Sequence, residues 1–146
     1  MTRKEVLESG ARLRIALINT RNPKKNYSIN KDLNGGLGTG SSLGNSLTSR
    51  ILERIRRHSF RIPVPAMAYL QAIFVDQEHQ VFCLEDQTLE EECDLILLYG
   101  SMVDYKYENE LSRQLKRRFP RSRIGFHGPF PSRFPEYYPD SDFVLI

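Results

Sequence analysis

The chain has 146 residues, 40% of them hydrophobic and 27% charged, which fits one ordinary globular domain and excludes wholesale disorder and fibrous classes. Its 21 Lys plus Arg against 18 Asp plus Glu leave a formal charge of +3, too small an excess to point to a polyanionic partner. Two cysteines, Cys83 and Cys93, exclude a multi-disulfide scaffold and a cysteine-only zinc or iron–sulfur site within this chain, and no run approaches the roughly 18 apolar residues of a membrane span.

Residues 1–13 read as an N-terminal extension. They mix Lys, Arg and Glu without an apolar export segment, so the expected setting is a reducing cytoplasm with no membrane partner. Arg14-Ile-Ala-Leu-Ile-Asn19 is a nearly continuous apolar run, the pattern of a strand covered on both faces. A long connection follows, residues 20–64, the length of a functional insertion. Its middle, Asn34-Gly-Gly-Leu-Gly-Thr-Gly-Ser-Ser-Leu-Gly44, lacks the Lys-Ser/Thr ending of a P-loop and the G-x-G-x-x-G spacing. It suits a loop whose main chain approaches a large ligand closely. Within the same connection, Leu47, Ile51, Leu52 and Ile55 predict a helix over 47–57.

Pro65 to Val75 opens with a first-turn proline and carries Met67, Leu70, Ile73 and Phe74, a second helix. Gln80-Val-Phe-Cys-Leu84 and Asp94-Leu-Ile-Leu-Leu-Tyr-Gly100 read as strands. Tyr107 to Phe119 places Leu111, Leu115 and Phe119 on one helical stripe, and Pro120 stops it. Arg123-Ile-Gly-Phe126 and Phe143-Val-Leu-Ile146 are the last two strands. The alternation implies a parallel α/β sheet with ligand loops at the carboxyl ends of its strands.

That edge holds the candidate site. Gly100-Ser101-Met102 follows the third strand, where a hydroxyl can bond a ligand; a turn or helix cap is the plainer reading. His127, in Phe126-His-Gly-Pro-Phe130, suits a general base, a metal ligand or a packed loop ring, and Gly128-Pro129 suits a tight turn. His58 ends an arginine-rich helix and His79 sits in a turn; both read as structural or exposed. Arg50, Arg54, Arg56, Arg57 and Arg61 form one basic face, and Arg113, Lys116, Arg117, Arg118, Arg121 and Arg123 another. Solvated faces or interdomain contacts account for them more simply than nucleic acid. The acidic stretch from Glu85 to Asp94 is a candidate counterpart. No nucleophile–base–orienter set emerges.

Together these residues resemble the N-terminal cobalamin-binding domain of radical S-adenosylmethionine enzymes. Arg14-Ile-Ala-Leu-Ile-Asn19 resembles its opening strand, and Pro65-Ala-Met-Ala-Tyr-Leu-Gln-Ala72 with Gln77-Glu-His-Gln-Val81 its first helix, turn and strand. Asp94 to Met102 is similar to its serine-ended strand. Phe126-His-Gly-Pro129, Phe134-Pro-Glu136 and Asp142-Phe-Val144 are similar to its closing motifs. The resemblance covers nearly the whole chain. It implies a Rossmann-like (flavodoxin-like) five-stranded parallel sheet with flanking helices over residues 14–146, truncated after the last strand.

The resemblance also implies cobalamin bound base-off. The corrin would lie over the carboxyl edge and its nucleotide tail would be lined by Gly100, Ser101, Met102, His127, Gly128 and Pro129. Val103, Asp104 and Tyr105 would approach the lower face of cobalt, and Asn34, Gly35, Gly36 and Gly38 would close over the rim. His127 stands where the family has a glycine. The Asp-x-His-x-x-Gly motif is absent, so no protein histidine is expected on cobalt. The Cys-x-x-x-Cys-x-x-Cys motif is absent as well, which leaves the iron–sulfur cluster and S-adenosylmethionine to a C-terminal radical domain or partner chain outside this sequence. The competing expectation is a flavodoxin-like interaction or regulatory domain that has lost its cofactor.

Overall fold

A computed structural model describes residues 12–25, 28–31, 39–59, 64–85 and 89–146. Five strands form one parallel sheet: β1 (Arg14–Asn19), β4 (Gln80–Glu85), β5 (Leu95–Tyr99), β6 (Arg123–His127) and β7 (Phe143–Val144), in the order β4-β1-β5-β6-β7. This is the flavodoxin-like order, in which the chain reverses its direction of travel across the sheet between β1 and β5. A small antiparallel pair, β2 (Ser28–Asn30) and β3 (Thr39–Ser41), lies in the long connection. The helices are α1 (Leu47–Ser59), α2 (Pro65–Asp76), α3 (Tyr105–Arg118) and the short α4 (Pro129–Arg133), which a 3-10 turn over Pro135–Tyr137 follows.

The apolar runs become the sheet because both faces are covered. Ile15, Leu17, Leu97 and Tyr99 face α2 through Met67, with Leu70 and Phe74 packed beside it. Ala16, Ile18, Ile96, Leu98, Ile124 and Phe126 face Leu111 and Leu115 of α3 and Phe119 just after it, with Phe130 and Tyr138 closing that layer. Adjacent residues of one strand therefore feed opposite cores, as a period of two requires. β1 pairs with β4 from Arg14 against Gln80 to Asn19 against Glu85, and with β5 from Ile15 against Leu95. β5 and β6 end level, Tyr99 beside His127. Asp142 holds the last crossover: its Oδ2 accepts from the Ile124 amide at 2.8 Å, and the Lys116 ammonium donates to its Oδ1.

The expected strands and helices are all present, with shifted ends. α3 begins at Tyr105 rather than 107, and β7 is confined to Phe143–Val144. β2, β3 and α4 are additions. The first two are three residues each in a largely polar segment, too short for a pattern to show, and Pro129-Phe-Pro131 reads as a turn rather than a helix start.

Candidate functional site at the carboxyl edge of the sheet

Three neighbouring strands stop together. β1 runs into Thr20, β5 into Gly100 and Ser101, and β6 ends at His127. The Gly100 amide donates to the His127 carbonyl at 3.0 Å, extending the β5–β6 ladder one step past the end of β5. The edge between β1 and β5 is the switch point, where sheets of this order open a crevice for ligands.

Here that crevice is occupied by a charged cluster of the chain itself. Glu108, on the first turn of α3, is fully buried. Its Oε1 accepts from Lys31 Nζ at 2.6 Å and from Ser101 Oγ at 3.0 Å, with Thr20 Oγ1 at 3.4 Å. Its Oε2 accepts from the Ser101 amide at 2.9 Å and from Tyr138 Oη at 2.8 Å. Lys31 also donates to the Tyr99 carbonyl at 2.8 Å and to Thr20 Oγ1. A carboxylate this deep persists only because its lone pairs are filled and a cation lies against it; the amino end of α3 adds favourable dipole. Burial, followed by the charge of Glu108, raises the Tyr138 hydroxyl well above the usual tyrosine range, so it stays protonated and donates.

A second pair sits beside the first. Lys25 Nζ lies 2.7 Å from Asp104 Oδ1 and also donates to the Val103 carbonyl. Asn22 Nδ2 is 3.5 Å from the same carboxylate oxygen. Asp104 is buried, and its Oδ2 has no partner. Lys25 and Lys31 both come from the long connection after β1, so two lysines fasten that connection to the start of α3.

His127 is buried against the Tyr99 ring, centroids 5.0 Å apart, and its Nε2 has no partner. Burial, reinforced by the nearby Lys31 charge, pushes its pKa down to about 4, so the imidazole is neutral at pH 7. Gly128 follows with φ +115, a conformation that side chains disfavour. Gly100 is closed in: a Cβ there would lie 2.4 Å from Pro131 Cγ and 2.7 Å from Tyr138 Oη.

The residues expected at the site thus fall into three groups. Gly100, Ser101, Asp104 and His127 are brought together but lie inside the protein, packed or bonded by its own groups. Met102, Val103, Tyr105, Gly128 and Pro129 form an exposed to half-buried rim, with Tyr105 already in α3. Asn34, Gly35, Gly36 and Gly38 lie outside the described residues. His79 has the structural place anticipated for it, its Nδ1 facing the Leu13 amide at 3.5 Å.

Lys31, Glu108, Tyr138 and Thr20 were not anticipated. Glu108 had a readable signal: with Leu111 and Leu115 it completes the buried stripe of α3, where a charge requires a partner. Lys31, in Asn30-Lys-Asp32, and Tyr138 carry no such mark.

Among the described residues, no group of three or more His, Cys, Asp or Glu side chains is placed to hold a metal ion, and no helix is long and apolar enough to cross a membrane. Fold and edge together define a Rossmann-like α/β domain of the flavodoxin-like type, with its switch point spanned by a buried Lys–Glu pair. Comparison with family models, with curated proteins and with solved structures found no match.

Proposed function

We propose that this chain is the cobalamin-binding module of a cytoplasmic radical S-adenosylmethionine enzyme, such as a methyltransferase or cyclase. It holds the cofactor base-off with no protein histidine on cobalt. The iron–sulfur cluster and S-adenosylmethionine belong to a separate catalytic domain or partner chain. The observation that supports this most is the meeting of the β1, β5 and β6 ends at the switch point, beside the rim of Met102, Val103, Tyr105, Gly128 and Pro129. Such a rim suits a broad, largely apolar ring with few polar contacts. When bound, cobalamin supplies the cobalt-centred chemistry; the chain binds, orients and shields it.

The fit is uneven along the edge. The rim suits a corrin face, and behind it Asp104 Oδ2 and His127 Nε2 are buried polar atoms without a hydrogen-bond partner. The slot expected to take the nucleotide tail is filled by Pro131, Tyr138 and Tyr99 around Gly100 and His127. The same filling favours a second reading, an interaction or regulatory domain whose cofactor slot has been closed by its own side chains.

The two readings separate in an absorption-monitored titration of the purified chain with hydroxocobalamin, followed by gel filtration. Co-elution of corrin with a base-off spectrum supports the module. A folded chain that never retains corrin overturns it in favour of the second reading. Met102→Asp, at an exposed rim position, is expected to fold as the wild type does and to weaken cobalamin binding about tenfold; unchanged affinity would remove the rim from the site.

A further inference from the structure

The helix α1 turns its apolar side away from the protein. Leu47 is 75% exposed, Ile51 52%, Leu52 55% and Ile55 55%. Positions 47, 51 and 55 form one stripe with 52 beside it. Leu43, also exposed, is held near the first turn by its carbonyl, which accepts from Ser49 Oγ at 3.1 Å. Four large aliphatic side chains at helical spacing, all facing out, are unlike the scattered apolar residues of an ordinary surface.

The charges of α1 are segregated too. Its basic residues Arg50 and Arg54 are exposed, and Arg56 and Arg57 belong to the same helix. Its one acid, Glu53, is buried on the opposite side, where it accepts from the Leu43 amide at 2.5 Å and from Ser42 Oγ at 3.0 Å. That contact ties the polar back of α1 to the segment just before it, and the opposite side is apolar, with the exposed Arg50 and Arg54 along it. Pairing two copies through this stripe would bring the arginines of one against those of the other, so an anionic and apolar surface is the better complement.

We propose that α1 is a docking helix for an anionic lipid surface. Its leucines and isoleucines enter the boundary between headgroups and acyl chains, and its arginines reach the phosphates and carboxylates above. A basic amphipathic helix with a narrow apolar stripe binds membranes in this orientation, and long arginine side chains keep their charge at headgroup level while their stems lie along the apolar layer. This is surface contact, distinct from a membrane span, and it departs from the expectation of no membrane partner. It is independent of any ligand at the sheet edge.

The test is flotation of the full chain with vesicles of phosphatidylcholine alone or mixed with phosphatidylserine. The chain is expected to float with the mixed vesicles, to stay behind with phosphatidylcholine alone, and to be released as salt rises. The exposed-site variant Leu47→Gln/Ile51→Gln/Ile55→Gln is expected to keep its far-ultraviolet circular dichroism and to lose about tenfold or more in partitioning. Arg50→Glu/Arg54→Glu is expected to do the same. Absence of the wild type from mixed vesicles would overturn the proposal. So would equal binding to both compositions, or binding that survives the triple substitution. A dimer in gel filtration that the triple variant abolishes would assign the stripe to a second copy instead. Loss of all signal in both variants with unfolded spectra is answered by the single variant Leu47→Gln, at the most exposed position, which must still weaken flotation.

Discussion

His127 shows how one side chain carries two kinds of information. It lies at the last position of β6, buried, with a nitrogen lacking a partner. Its pKa is lowered to about 4 by burial first and by Lys31 second, whereas an unfolded chain binds the proton near pH 6.5. Above about pH 6.5 both states are neutral and the folded state keeps its full advantage. As pH falls from there toward 4, the unfolded state takes up the proton first, so stability drops and the loss is complete below the folded value. Between pH 7.5 and pH 5 this one group is expected to remove about 2 kcal/mol. Urea denaturation at both pH values checks it: His127→Gln should lose less between them than the wild type by about that amount, and equal losses would mean that the ring is solvated. The sequence marks His127 as a candidate because it stands at a strand end between Phe126 and Gly128. What it cannot reveal is the Tyr99 ring and the Lys31 charge, which arrive from distant segments.

At the scale of elements, the informative contact is between the long connection after β1 and the first turn of α3. Lys31 follows β2, Glu108 lies on α3, and they meet inside the protein at 2.6 Å. Removing one partner leaves a buried charge uncompensated, so Lys31→Met is expected to destabilise by about 3–5 kcal/mol. Glu108→Gln leaves the Lys31 ammonium uncompensated in the same way: if the amide oxygen keeps the Ser101 and Tyr138 donors, its NH2 turns toward Lys31, so a comparable loss is expected. In a double-mutant cycle by urea unfolding, the pair should lose clearly less than the sum of the singles; additivity would show that the two groups do not sense each other. The helices were legible because α2 and α3 repeat apolar residues at helical spacing. The end of α3 is marked by Pro120, whereas Tyr105 and Lys106 at its start look like loop. The β2–β3 pair was not legible, since Ser28–Asn30 holds a single apolar residue and Thr39–Ser41 none, too little for a strand pattern.

Across the whole molecule, stability should grade outward from the middle of the sheet. β1 is paired on both sides and β5 likewise, and both feed the two cores at once. β7 contributes two ladder residues beside Gly125 and Phe126. It is held further by the Asp142 amide donating to Ile124 and the Leu145 amide donating to Phe126. β4 has a partner on one side, and α1 is bonded through Glu53 to Ser42 and Leu43 just before it while its apolar stripe faces outward. Amides in elements with few buried contacts open by local fluctuation, whereas central ones wait for global unfolding. Native-state hydrogen exchange is therefore expected to find β1 and β5 slowest and exchanging together, α3 close behind, and β7 and α1 well ahead of them. Exchange of α1 at the rate of β1 would mean that its apolar stripe is packed in the free chain, which would also remove the basis for a lipid-facing helix. The central order follows from the runs 14–19 and 94–100, whose unbroken apolar character already separates them from the half-polar β4. The outward stripe of α1 does not follow from its spacing, because a stripe at helical period is the same whether a helix faces its own core or a surface outside the protein.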